Sequence, residues 1–473
     1  MTLSEFITKL DDIAWGSVVL CLLVGVGIIL TVSTRFLQFR KFGYAMKNTL
    51  GKVFKKHTAG KGEVTPLQAL TTALAATVGT GNIAGVTGAI IIGGPGAVFW
   101  MWLSAIFGMC TKFAEVTLAV HYRERNDKGD WVGGPMYYIK NGLGKGFGWL
   151  SVLFCIFGFL AAFGIGNATQ VQSIGESVGS VINALGGNVQ GTMITFLGNE
   201  FTLCNLIVGI VVAVIVALVL FGGIKRIGQV TEKIVPVMAC VYIVATLVVI
   251  IANAGQLGNV FRMIFQGAFN AEAALGGAFG ITISTSITKG IARGCFSNEA
   301  GLGSAPMAHA ATSESDPVKQ GMFGIFEVFM DTIVICTLTA LTVLCSVSAG
   351  NVTVDWGVGG GAAIVSAALS SVLGGGVGSI ILALCLSLFA LSTVLSWSLY
   401  GTRCFEYLFG TKASIGYKIV FILFAIAGAT LSLNDAWNLA DALNGFMSIP
   451  NLIAILALSP VIVKLVREHF KEN

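Results

Sequence analysis

From Leu203 to Gly223 the chain reads LCNLIVGIVVAVIVALVLFGG, without one charged residue. A segment this apolar is stable only out of water, and roughly 20 such residues cross a hydrocarbon core of about 30 Å as a helix. Ten further runs read the same way, which predicts eleven spans at roughly 12–33, 66–92, 96–121, 149–178, 203–222, 230–253, 272–290, 320–349, 362–403, 416–432 and 443–466. The ninth is long enough to hold a short amphipathic or re-entrant piece, about 362–374, closed by GGGVG. A membrane β-barrel would instead show short alternating segments. With 11% charged residues and a mean hydropathy of +0.85, an ordinary soluble domain is excluded. The first run follows an acidic start (Glu5, Asp11, Asp12) with no small-residue cleavage pattern, and reads as a retained helix rather than a signal peptide.

Basic residues near span ends mark cytoplasmic loops. Placing every second loop on one side collects there all 28 Lys and Arg except Lys9, Lys112 and Arg262, from the dense stretch Arg35–Lys61 to the tail at Lys464–Lys471. This predicts a multi-pass cell-membrane protein with the N-terminus outside and the C-terminus cytoplasmic. The basic stretch suits anionic lipid headgroups better than nucleic acid, so no nucleic-acid partner is expected. Ten cysteines stand singly, most within spans, and read as small packing residues rather than disulfides or metal ligands.

Two spans interrupt themselves. The second contains Gly79-Thr80-Gly81-Asn82, with Gly85 and Gly88 beyond. Glycines in membrane helices often serve close packing, but two of them flanking Thr80 and followed by Asn82 fit an unwound segment. Backbone freed at membrane depth persists only where it lines a cavity, where amides can bind an anion and carbonyls a cation. The seventh span carries Thr282, Ser284, Thr285, Ser286 and Thr288 within a few residues. One such hydroxyl commonly bonds back to its own helix; this density predicts a second irregular segment. The two lie five spans apart, as expected of a transporter with a midplane site between two halves of opposite orientation. The predicted division is 1–65 for the N-terminal helix and a basic cytoplasmic loop, 66–256 and 257–466 for two five-helix repeats, and 467–473 for the tail.

Other polar groups interrupt apolar helices. In the ninth span Ser392 and Thr393 adjoin, and Thr393 shares a face with Trp397 one turn on. Such hydroxyls, with unwound carbonyls, suit a hard cation such as sodium; helix packing is the alternative. Asn167 and Gln170 of the fourth span share a face and are expected to look inward. Glu115, Glu327 and Asp331 are ionisable groups within spans, suited either to coupling or to structural pairing. The stretch Arg293–Ala311 is expected to be a cytoplasmic turn in which Glu299 pairs with Arg293. His309 lacks HExxH spacing, and GGPGA at 93–97 lacks the GKS/T of a phosphate loop and is expected to turn the chain at the outer surface. No enzymatic motif stands out.

GTGNIAGV with GGPGAVFWMW, GGPMYYI at 133–139 and RGCFSNEAGLGSAPMAHAA at 293–311 together resemble the alanine/glycine:cation symporter family, and the likeness covers essentially the whole chain. The resemblance implies an all-α fold, a leucine-transporter-like 5+5 inverted repeat preceded by one extra N-terminal helix, as in the amino acid–polyamine–organocation superfamily. It implies import of small neutral amino acids such as alanine and glycine, coupled to sodium, with no organic cofactor. It further implies that Thr80, Gly81 and Asn82 meet the substrate carboxylate, with Asn82 near substrate, a second ion or both. Gln170, a break at Thr285–Ser286 and Trp397 would complete the pocket. The carbonyls of Ala75 and Val78 would bind sodium with Ser392 and Thr393. Proton coupling or a larger substrate such as glutamine stays open as an alternative, as do, more remotely, a channel and an intramembrane enzyme.

Overall fold

The computed structural model describes residues 2–53, 59–60, 62–189, 192–196, 199–270, 282–356, 361–430 and 434–471. Among them, eight helices are long and apolar enough to cross a membrane, and a ninth span is the bent pair Pro66–Thr77 and Thr80–Gly93, whose halves meet at 55°. In chain order the helices that build the molecule are α1 (Leu3–Ala14), α2 (Ser17–Ser33), α3 (Phe42–Val53), α4 (Pro66–Thr77), α5 (Ala84–Gly93), α6 (Ala97–His121), α7 (Gly148–Phe163), α8 (Thr169–Ala184), α9 (Leu203–Leu220), α10 (Gly223–Ala252), α11 (Leu257–Phe269), α12 (Ile283–Asn298), α13 (Pro306–His309), α14 (Pro317–Val328), α15 (Thr337–Ser348), α16 (Ala362–Leu373), α17 (Gly375–Thr430), α18 (Asn434–Ala457) and α19 (Ser459–Phe470).

Most predicted spans reappear, with local differences. The first is bent at Gly16, so that α1 and α2 together form the N-terminal element. The ninth and tenth are α17, which turns at Gly410, where φ is +85°; a straight helix of that length would reach about 80 Å. The predicted short piece before them is α16, ended by Gly374 at φ +92°. The eleventh ends at Ala457, and the Ser459–Pro460 step starts a separate amphipathic helix. Only Ile283–Asn298 of the seventh span is continuous helix among the described residues; its expected start, 272–281, lies outside them.

The expected loop at 293–311 is corrected. The helix runs through Lys289 and Arg293 to Asn298, and these two cations share a cavity with Asp11, Asp12 and Asp441 on the face that carries α1. They leave the basic-loop tally, because the hydroxyl-rich segment read as a helix break is instead the first turns of α12. The Gly93–Gly96 turn is buried under α11, where a Cβ on Gly96 would meet the Gly267 carbonyl carbon at 2.2 Å.

Candidate functional site

The site is built by two helix breaks that face each other. α4 begins on a Thr65–Gln68 capping box with Pro66 in the first turn, and stops at Val78. Gly79 follows in an extended conformation, then one 3₁₀ turn, Thr80–Asn82, before α5. The Asn82 side chain closes the break: its Oδ1 accepts from the Gly79 N–H at 2.8 Å, and its Nδ2 donates to Ser297 Oγ at 2.9 Å and to Asp331 Oδ1 at 2.6 Å. Asp331 also accepts from Ser297 and Thr332. The polar groups of the break are thus satisfied partly by Asn82 itself and partly by Ser297 and Asp331 from other helices, as the interior requires.

The second break lies at 299–305. Glu299, Gly301 and Gly303 all have positive φ (54°, 93° and 82°), a geometry that a non-glycine residue adopts only under constraint. Its freed backbone is held from afar. The Gly301 N–H donates to Glu115 at 3.0 Å, and Asn451 donates to Glu115 at 2.6 Å and to the Gly301 carbonyl at 2.9 Å. Tyr138 fixes Asn451 from the other side. The Lys112 ammonium lies 3.3 Å from Glu327, and His309 meets Glu327 at 3.1 Å and Gln320 at 2.9 Å.

Between the breaks lies a cavity of about 20 Å³, lined on one side by Ala76, Thr77, Gly79, Thr80 and Gly81 and on the other by Phe296, Ser297 and Glu299, with Ile165, Gln170, Thr393, Trp397 and Asn444 completing it. Thr80 donates to Gln170 Oε1 at 3.2 Å. Beside the cavity, the Ser392 and Thr393 hydroxyls lie 3.3 and 3.1 Å from the Ala75 carbonyl. Thr80, Gly81, Gln170, Thr393 and Trp397 all line this cavity, with Ala75 and Ser392 adjoining. Val78 is the buried residue at which α4 ends, and Asn82 sits behind the cavity. Thr285 and Ser286 are not in it: Thr285 bonds to the α12 N-cap Thr282, and the Ser286 Cα would contact a Cβ on Gly93 at the far end of that helix.

Asn167 also departs from expectation. A π-helical turn at Gly164–Ala168 shifts the register before α8, so Asn167 donates to the Phe421 carbonyl at 2.7 Å while Gln170 faces the cavity. Glu299, missed as a site residue, accepts from Trp397 Nε1 at 3.1 Å and from Ser304, not from Arg293.

Larger cavities reach Thr80 from the α1 face. One of about 560 Å³ runs past Ser173, Ser177 and α16; another of about 340 Å³ passes Arg293, Phe296 and Asp441. On the opposite, basic face the described residues form a closed junction. There Val64 and Ser313 N–H groups pair with the Ala311 and Val64 carbonyls, joining the segments that flank the two broken helices. Arg123 clamps this junction by donating to the carbonyls of Ala310, Thr312 and Glu314 at 3.1, 2.6 and 3.0 Å while its guanidinium stacks 4.3 Å from the Trp131 ring.

The sequence profile of the sodium:alanine symporter family matches residues 1–473. The chain belongs to that family. Among relatives of this symporter family, the chain is 44% identical over 468 residues (98% of this chain, 96% of the relative) to the sodium/alanine symporter AgcS of Methanococcus maripaludis. It is 35% identical to the probable sodium/glutamine symporter GlnT of Bacillus subtilis over 98% of this chain and 90% of that one. The solved structure of MhsT in complex with L-phenylalanine aligns with a TM-score of 0.58 at 15% identity, covering 86% of this chain and 99% of that one. The symporter fold is the leucine-transporter-like one, all-α and membrane-embedded, and both family and fold are those of transporters rather than enzymes.

Proposed function

We propose that the chain imports small neutral amino acids, alanine and glycine foremost, coupled to sodium by alternating access, with its N-terminus outside the cell. The observation that carries this is the pair of breaks across one small cavity. The amides at Thr80–Asn82 begin a helix and attract a carboxylate, and the Thr80 hydroxyl with Gln170 adds polar contacts. Asn82 takes part from behind, as the group that caps the freed Gly79 amide of the break. The Ala75 carbonyl with Ser392 and Thr393 offers oxygens to a sodium ion without a buried charge, and Val78, where the helix unwinds, supplies a further carbonyl. Both hydroxyls now point at protein carbonyls and would turn their lone pairs toward the ion. Thr285 and Ser286 drop out of the proposed site; the residues of the second break take their place.

The walls set the substrate's size. Trp397, Phe296 and Ile165 surround a cavity of about 20 Å³, so even alanine requires these side chains to yield, and a long amide side chain requires far more. The name of the relative GlnT motivates the second reading, glutamine as substrate. A competition series decides: radiolabelled L-alanine uptake into liposomes, with sodium outside, is expected to be blocked by unlabelled alanine and glycine but not by equal glutamine. Stronger competition by glutamine would reverse the assignment.

A further inference from the structure

Val18, Leu22, Ile29 and Val32 of α2 are all exposed, and their spacing puts them on one face of the helix. On a spanning helix an exposed apolar row of this length lies against acyl chains. The row ends beside a groove of about 490 Å³ between the last turn of α2, at Ser33, and the first turns of α19. Pro460 and Val463 make part of the α19 wall apolar. Lys464 and Arg467 stand on the same wall, three residues apart and so on one face, and both are exposed. The one carboxylate of the groove, Glu468, lies 3.9 Å from Lys464 in an exposed pair, which water leaves weak. Two cations therefore face one loosely held anion.

The turn that follows α2 fixes the depth of this groove. Arg35 and Phe36 have φ of +57° and +58°, a geometry that residues other than glycine adopt where their surroundings impose it. Here Gln38 imposes it: its buried amide donates to Thr31 Oγ1 at 2.9 Å and to the Ile106 carbonyl at 3.3 Å. Leu37 and Gln38 are thereby turned inward, while Phe36 and Phe39 stay exposed beside Arg35 and Arg40. Exposed aromatic rings and cations together at the end of a span belong at the boundary between acyl chains and headgroups. α19 is built for the same boundary, burying Ile462 and Val466 and presenting Lys464 and Arg467. A lipid whose chains follow the α2 row would bring its phosphate to those two cations. A headgroup with net negative charge suits them, whereas a zwitterionic one would bring its own ammonium toward them.

We propose that this groove binds an anionic phospholipid, with its phosphate held by Lys464 and Arg467 and an acyl chain along α2. The measurement is retention of radiolabelled phosphatidylglycerol by the purified protein in uncharged detergent, against unlabelled competitors. Phosphatidylglycerol is expected to displace the label at a concentration at least tenfold below that of phosphatidylcholine with the same chains, and inorganic phosphate is expected not to displace it. In K464Q/R467Q the preference falls at least tenfold. K464R/R467K, which keeps both charges, retains it, as does K225Q/R226Q, which removes two exposed charges at the start of α10. Absence of any preference in the unaltered protein, an unchanged preference in K464Q/R467Q, an equal loss in K225Q/R226Q, or displacement by phosphate as effective as by the lipid overturns the site.

Discussion

At the scale of single residues, Thr393 and Gly166 carry the most exposed commitments. Thr393 Oγ1 lies 3.1 Å from the Ala75 carbonyl, and a Cβ on Gly79 would come within 2.8 Å of that same hydroxyl, so the break and the helix opposite touch there. A hydrogen-bonding hydroxyl contributes about 1–1.5 kcal/mol. Thr393→Ala is therefore expected to raise the sodium concentration for half-maximal uptake about tenfold, with Thr393→Ser close to the original; an unshifted sodium curve in the alanine variant removes the residue from the ion site. Gly166 sits in the π-helical turn, where a Cβ would stand 2.3 Å from the Trp397 Cβ. Overpacking of this kind costs about 1–3 kcal/mol. Gly166→Ala should lower thermal stability in detergent and abolish most alanine uptake, and full retention of both would mean that the turn yields freely. Residue chemistry was legible in the sequence where the pattern was local: Gly79-Thr80-Gly81-Asn82 and Ser392-Thr393 announce themselves. Gln170 was separable from Asn167 only with the π turn in view, because helical spacing puts both on one face.

At the scale of elements, the two breaks differ in how they are stabilised, and that difference explains why one was readable and the other misplaced. The first is closed by its own Asn82, three residues from the group it caps. The second is closed by Glu115 and Asn451, remote in sequence from Gly301, so nothing near it signals that its backbone is satisfied within the membrane. The serine and threonine run upstream was the stronger local signal, yet those hydroxyls start α12 through the Thr282 cap. Glu115→Ala strips an acceptor from the Gly301 N–H and from Asn451, and should cost about 2–3 kcal/mol of stability. Glu115→Gln keeps an oxygen there and should cost clearly less; equal losses by thermal unfolding would mean that charge rather than acceptor geometry matters.

At the scale of the whole molecule, the proposed alternating-access cycle would have the cavities on the α1 face and the closed junction on the basic face at one of its ends. The bundle itself was legible, since span length and apolarity follow from the bilayer. The sidedness of Lys289 and Arg293 was not, because it depended on where the seventh span ends. Opening toward the basic face requires the Val64–Thr312 junction to part, and Arg123 holds it by three carbonyls. Arg123→Ala is expected to shift the balance toward the opposite opening by about 2–3 kcal/mol, on the order of a hundredfold. A cysteine placed at Ala308, buried behind that junction, should then react with a soluble maleimide much faster than in the parent protein; an unchanged rate would show that the junction is held elsewhere.

The coupling of the cycle to sodium is the central claim, and it is tested most directly by accumulation against a gradient. Purified protein in liposomes, preloaded with alanine at the external concentration and given only an inward sodium gradient, is expected to take up radiolabelled alanine above equilibrium, with choline in place of sodium giving none. Accumulation that persists in choline and follows an imposed pH gradient, or equilibration without accumulation, would contradict it.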